Sequence, residues 1–579
     1  TTEGGWYEAD KVRFRQGNPE KIGGWVRISI NTFLGVCRSL WNWVLLDGRN
    51  IIGVGTNLKF YLENGGAYND ITPLRVVPAP TINNNPFATT ISLTLVTVTD
   101  TGHGAITGDF VTFSGATSVG GLDLNNEYQI TVVDANTYTI TAATAASSTT
   151  TGGGASVVAA YQISVGPAIQ QVLEGWGAGA WGLGTWGNGA PIASVFGALR
   201  IWNQANYGED LVFGPRGGGL YYWEAPTLTT RGVLLSSLGG AVSFTNASPT
   251  LVASTSNILF TEGAALQFSG GSLPSGVSAA TTYYVFQVNG LTFNLLDSAG
   301  NEVNTSSSGT GVVSLIVDVP TVQNNIVVSD TSRFILVFGC NDYGSATLDP
   351  MLIRWCGQDD LFNWTPDPTN QAGFIRISHG SEIVAVVQTR QEIIVFTDSA
   401  VYSLQYLGPP FIWAPQLLGD NVSIISPNSA VIASGVVYWM GVDKFYSYDG
   451  RVQTLNCDLR RFVFSDLNQN QGLQVFAGTN EGFNEIWWFY CSANSTAIDK
   501  YVIFNYVEKI WYYGTMERTA WLDSGLQSYP IAANYFTNTL TGNLINHETG
   551  LNDDTTGTPV AINAYISSSE FDIGDGHNF

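Results

Sequence analysis

The sequence predicts an all-β protein: a β-propeller of about six blades with two small β-barrel-like modules inserted into it. Three observations predict this. Aromatic residues make up 12 % of the 579 residues and glycine stands at 65, a mixture that suits pleated, half-buried surfaces joined by tight turns. A hairpin pattern of apolar strand, turn, aromatic-ended strand and polar loop recurs about six times. A Thr/Ser/Ala/Val-rich stretch occurs twice at one fixed offset.

The chain is long enough for about two to four domains. Residues 1–85 hold an N-terminal hairpin and the first propeller strands. In "DKVRFRQGNPEKIGGW", from Asp10, alternation puts Val12, Phe14 and Trp25 inside and the charged residues on the outer face. The first blade follows in "WNWVLLDGRNIIGVGTNLKFYLENGG" from Trp41. Residues 86–163 form the first inserted module and 239–319 the second. "GDFVTFSG" at Gly108 matches "GAALQFSG" at Gly263, and the offset of 155 also relates Gly121 to Gly276, Tyr128 to Tyr283, Tyr138 to Phe293 and Val157 to Val312. Both copies resemble the small β-barrel of the first catalytic-cysteine half-domain of ubiquitin-activating enzymes. Neither contains a cysteine, so ubiquitin-type chemistry does not follow.

Residues 164–238 hold a Trp/Gly-rich loop and a blade. In "WGAGAWGLGTWGNG", Trp176, Trp181 and Trp186 recur every five residues, a period of neither strand nor helix. The loop either packs on its own propeller or docks its Trp side chains into a neighbouring subunit. Residues 320–579 supply the remaining blades, at Arg333, Glu392, Gly435 and Asn484, and the C-terminal strands. A two-sheet sandwich is the structural alternative, but it rarely needs six similar hairpin units.

Composition also excludes functions. A net charge of −23 argues against a general nucleic-acid or anionic-membrane surface, because neutralising phosphate takes Lys and Arg. The five cysteines include no CxxC pair and are expected to be reduced and buried, and the four histidines are isolated, so no metal or cofactor is expected. No run reaches membrane-span length, so stable membrane insertion is not expected. Neither end, "TTEGGW" nor "DGHNF", bears on this. No GxSxG, P-loop or HExxH motif occurs, and neither do the repeated aspartate boxes of sialidase-type propellers. Asp359 and Asp360 are expected to cap a turn, His379 to sit in a turn or interface, and the acidic runs at Asp466 and Asn552 to be solvated turns. An enzyme is not expected.

Taken in order, "ADKVRFRQGNPEKIGGW", "GTNLKFYLENGGAYNDITP", the Trp/Gly loop and "RWCGQDDLFNWTPDPTNQAG" running into "SEIVAVVQTRQEIIVFTDSAVYSLQYLG" resemble the tail nozzle, or tail hub, proteins of short-tailed bacteriophages. The resemblance covers most of the chain outside the two modules. It implies a propeller-containing structural subunit of the virion tail, assembled in the host cytoplasm, usually as a hexameric ring. Such a ring extends the DNA channel below the portal and adaptor, retains packaged DNA and conducts it during ejection without sequence-specific binding. The partners implied are further copies of the chain, adaptor or connector proteins, and tail fibre or receptor-binding proteins. For the ring contacts the candidates are Lys11, Arg13, Arg15, Lys21, Trp25 and Arg27, whose cations complement an acidic neighbour, together with Trp176, Trp181 and Trp186. The competing expectation is a carbohydrate-binding or depolymerising propeller, of a phage tail or a secreted lectin, which abundant Trp and Tyr would permit. Its aromatics should gather in loops beside carboxylates, not alternate within strands as in "IWWFY".

Overall fold

A computed structural model describes residues 6–75, 82–171, 199–225, 228–237, 239–254, 260, 262–279, 281–315, 318–330, 332–361, 363–368 and 370–569. Trp176, Trp181 and Trp186 lie outside the described residues. The fold is nearly all β: the described residues hold one α-helix, Arg460–Asp466, and otherwise 3-10 turns and strands that pair antiparallel with a single parallel exception. The chain divides into two compact units. One comprises 1–202, 225–232 and 457–579, the other 203–224 and 233–456.

The first unit contains two four-stranded meanders. Cys37–Val44, Asn50–Thr56, Phe60–Asn64 and Ala67–Asp70 make one; Phe476–Asn480, Glu485–Tyr490, Lys500–Asn505 and Ile510–Thr515 make the other. Central strands such as "EIWWFY" are buried at every position, as strands covered on both faces must be. A mixed sheet then joins the two ends of the chain. Trp25–Arg27 lies between Thr541–His547, antiparallel, and Asn552–Asp554, parallel, while Phe33–Leu34 pairs with the start of Thr541–His547. Trp6–Asp10 pairs with Tyr565–Ser568 as well. N-terminal and C-terminal segments are therefore laced together by four separate strand pairings.

The second unit contains four meanders, at 202–234, 323–376, 383–420 and 430–455. Six four-stranded meanders in all are thus found among the described residues.

The two inserted modules carry strands at matching offsets. Phe87–Thr89, Leu95–Thr99, Phe110–Ser114 and Thr137–Thr141 answer to Gly239–Phe244, Leu251–Ser254, Ala265–Ser272 and Thr292–Leu296. The second copy closes into a six-stranded barrel, whereas the first is split into a five-stranded and a three-stranded sheet. Local backbone accounts for the split. Gly309–Leu315 runs unbroken in the barrel, but its counterpart is interrupted by Gly153 and Gly154 at φ +116° and +87°, outside the extended region.

The modules are also attached differently. The first has a core of its own, around Phe87, Val111, Phe113, Tyr138 and Ile140. It is held to the adjoining meander by a polar staple: Lys59 Nζ donates to Asp70 at 2.7 Å and to Glu127 of the module, and Arg231 bridges the same two carboxylates at 3.2 and 3.4 Å. The barrel instead shares one continuous apolar core with its unit, running from Phe244, Phe268 and Val313 into Leu220, Tyr222 and Ile335.

Candidate functional site

The N-terminal hairpin contains most of the residues that the sequence proposes as interface. Val12–Arg15 and Asn18–Lys21 pair around a two-residue turn, with Gln16 at φ +51° and Gly17 at φ +78°. Two positive φ values define the turn that matches strand twist, and glycine accommodates the second without strain. Glu508 accepts the Gln16 N–H at 2.9 Å and fixes the tip.

Val12 and Arg13 are both buried, against the expectation that the charged residues line the outer face. Arg13 is 2 % exposed and forms the centre of a buried ion cluster. Its Nε and Nη2 donate to the two oxygens of Glu485 at 2.9 and 3.2 Å; Nη1 donates to Glu548 at 3.0 Å; Nη2 also donates to Glu548. The guanidinium lies 3.6 Å over the Phe483 ring. Glu485 further accepts from Trp487 Nε1 at 3.0 Å and from Tyr512 Oη, and Glu548 accepts from the Gly23 N–H at 3.1 Å and from Asn480 Nδ2 at 3.0 Å. Burial alone would lower the Arg13 pKa, but the hydrogen bond to Glu548 and the charges of both carboxylates outweigh it and hold it above its ordinary value. One cation thus faces two carboxylates, and burial pushes Glu485 upward.

The other candidates are distributed around this cluster. Lys11 donates to Asp10 at 2.7 Å and Thr515 at 3.2 Å. Trp25 is buried against His547, ring to ring at 5.4 Å, with the Arg518 guanidinium 5.0 Å from its ring. Arg27 is half-buried, and Nη1 reaches the Thr556 carbonyl at 3.4 Å. Lys21 is exposed and donates to the Leu551 carbonyl at 2.6 Å; Arg15 is exposed at the hairpin's end. Arg13 and Trp25, being buried within the chain, offer no side chain to a neighbouring copy. Arg15 and Lys21 do.

Sequence reasoning missed Glu485, Glu548, Asn480, Arg518 and His547. One signal was present: in "NEIWWFY" a carboxylate opens an otherwise apolar strand, and a buried charge requires a partner. His547 Nε2 accepts from Arg518 Nε at 2.9 Å, so the ring is neutral with its proton on Nδ1. Burial, then the charges of Arg518 and Arg13, hold its pKa well below the ordinary 6.5.

Beside the cluster, Glu548 and Asn480 also line an open cleft of about 650 Å³ with Glu481, Phe483, Asp523 and Tyr529. Burial raises the Asp523 pKa. In the second unit a cleft of about 780 Å³ is lined by Asp330, Arg390, Glu392, Tyr448 and Asp449. Asp359 lies at φ +56° in a turn and pairs with Arg333 at 3.0 Å, both exposed. The His379 backbone N–H donates to Tyr402 Oη at 2.9 Å. All five cysteines are free, and burial pushes each thiol up to about 12. Among the described residues no three His, Cys, Asp or Glu gather to hold a metal, and no helix is long and apolar enough to cross a membrane.

No family model matches the chain, and no curated protein matches it. Three of the solved structures similar to it are the following. The AfRom2 CNH domain is 9 % identical over 60 % of this chain and 93 % of its own, with a TM-score of 0.25. A candidate 6-phosphogluconolactonase from Bacteroides fragilis is 10 % identical over 62 % and 98 %, at 0.28. The extracellular domain of a candidate hybrid two-component system from B. thetaiotaomicron is 11 % identical over 93 % and 84 %, at 0.26. Likenesses of this size carry no argument about activity.

Proposed function

We propose that the chain is a structural subunit of a virion tail nozzle, in which the four-stranded meanders and the mixed terminal sheet are the blades of a propeller and copies assemble into a ring. The observation that carries this reading is the clasp at the N-terminal hairpin. Arg13, Asp10 and Trp25 are taken up in fastening the first 27 residues to segments beyond residue 480, which suits a shell subunit that must resist pulling on its ends. The order of motifs shared with nozzle proteins supports the same reading. A DNA conduit also suits the charge: six copies at −23 each carry −138 formally, a sign that repels phosphate and favours sliding over sticking.

In this ring the exposed Arg15 and Lys21 face an acidic patch of the next copy, a heterologous contact. The test is the double variant Arg15→Glu, Lys21→Glu. It should leave the unfolding midpoint unchanged and abolish the ring; rings that form as before would remove the hairpin from the interface.

A second reading is favoured by the cleft at Phe483 and Tyr529, where aromatics do stand in loops beside carboxylates. Under it the protein binds carbohydrate, and glycan-array binding lost in Tyr529→Ala is the measurement that would raise it above the first.

A further inference from the structure

The third meander of the second unit ends in a hairpin longer than its sheet. Ala400–Gly408 and Ile412–Asp420 pair along their whole length, but the neighbouring strand Ile393–Thr397 stops at the Ile393–Leu404 pair. Beyond it, Gln405–Ala414, Tyr406–Trp413 and Gly408–Ile412 continue as a two-stranded ribbon, of which Ile412 and Trp413 are buried in the unit's core. Its base is braced by Phe334, whose ring lies 5.6 Å from Tyr406 and 5.9 Å from Trp413.

The tip, "LGPPF", is apolar and open to solvent: Leu407 is 58 % and Phe411 75 % exposed. From Ser399 to Gly419 there is no charged residue, in a chain where 12 % are charged. Backbone donors are scarce as well. Pro409 and Pro410 have no N–H, and the Phe411 N–H is bonded to the Gly408 carbonyl at 3.1 Å. Exposed apolar side chains with few unsatisfied donors can enter a low-dielectric medium at little desolvation cost.

We propose that this tip is a membrane-surface contact, in which Leu407–Phe411 dips into the interfacial layer of a bilayer of uncharged, zwitterionic phospholipid. Several features point to lipid over a pocket on another protein. Leu, Gly, Pro, Pro and Phe offer no side-chain hydrogen bond with which a protein rim could fix register, whereas lipid requires none. Tyr406, at the base, stands where interfacial aromatics reside. The absence of Lys and Arg, together with the overall acidity, excludes attraction to anionic headgroups. At about 3.3 Å per residue the tip reaches only a fraction of the roughly 30 Å hydrocarbon core, so the contact is shallow and reversible. It does not depend on the nozzle reading.

The test is flotation of the full chain with phosphatidylcholine vesicles. Wild type should float at any salt concentration, and Leu407→Ser with Phe411→Ser should reduce the bound fraction about ten-fold while the unfolding midpoint holds. Wild type that fails to float, a double variant that floats equally well, or binding confined to anionic vesicles and lost in salt would each overturn the proposal. A double variant that only lowers the solution mass would assign the tip to a second copy instead. Should the double variant misfold, Phe411→Trp with brominated phosphatidylcholine gives the same decision: quenching beyond that of the wild type's own 17 tryptophans is expected, and none beyond it would refute insertion.

Discussion

Arg13 sits where two carboxylates need it. Truncation to alanine leaves the buried Glu485 and the half-buried Glu548 facing each other without a cation, a change that costs about 3–5 kcal/mol in comparable buried pairs. Arg13→Ala should therefore lower the denaturant midpoint of the first unit by that equivalent, whereas Arg15→Ala, at the exposed end of the same strand, should change it by less than about 0.5 kcal/mol. Equal effects of the two would dismiss the cluster as a structural centre. His547 gives the pH dependence. The unfolded imidazole titrates near 6.5, while the folded one is held well below. At pH values under 6.5 the unfolded state therefore binds more protons, and stability falls as pH drops toward the folded pKa. His547→Gln keeps an acceptor for Arg518 and removes the titration, so its unfolding midpoint should fall less steeply between pH 6.5 and 5; parallel pH profiles would rule His547 out as the cause.

At the scale of elements, the two inserted modules are related in sequence but attached by different physics. The ends of the first meet where the Arg75 N–H donates to the Tyr161 carbonyl at 2.8 Å, and its core is separate from the rest of its unit. The ends of the barrel also meet, at the Gly239–Ser314 pair, but its apolar core continues into the unit that holds it. Excising residues 76–161 across a short linker should leave the remaining sheets folded, with amide exchange altered mainly near Lys59 and Asp70. Excising 239–315 should uncover Leu220, Tyr222 and Ile335 and lower the unfolding temperature substantially more. The reverse order would contradict this account of their attachment.

For the whole molecule, what sequence could reveal followed from the range of the interaction. Strands and turns are local: alternation within "YQITVV", the apolar run in "EIIVFT" and positive-φ turns such as Gln16–Gly17 are contained in short windows, and the repeat shows as a fixed offset of 155 between two such windows. The clasp is not. Arg13 meets carboxylates 472 and 535 residues away, and no local pattern distinguishes it from Arg15, two positions on and exposed. The strand Trp25–Arg27 likewise reads as the end of a hairpin, yet it completes a sheet with Thr541–His547. Glu485 gave a partial signal as a charge in an apolar strand, without naming its partner.

The central claim, a ring-forming tail subunit, is tested most directly by the mass of the purified chain in solution, measured by light scattering at several concentrations, alone and mixed with its candidate adaptor ring. The account predicts a mass near six copies, formed either spontaneously or on the adaptor. A persistent monomer that ignores the adaptor at every concentration would contradict it.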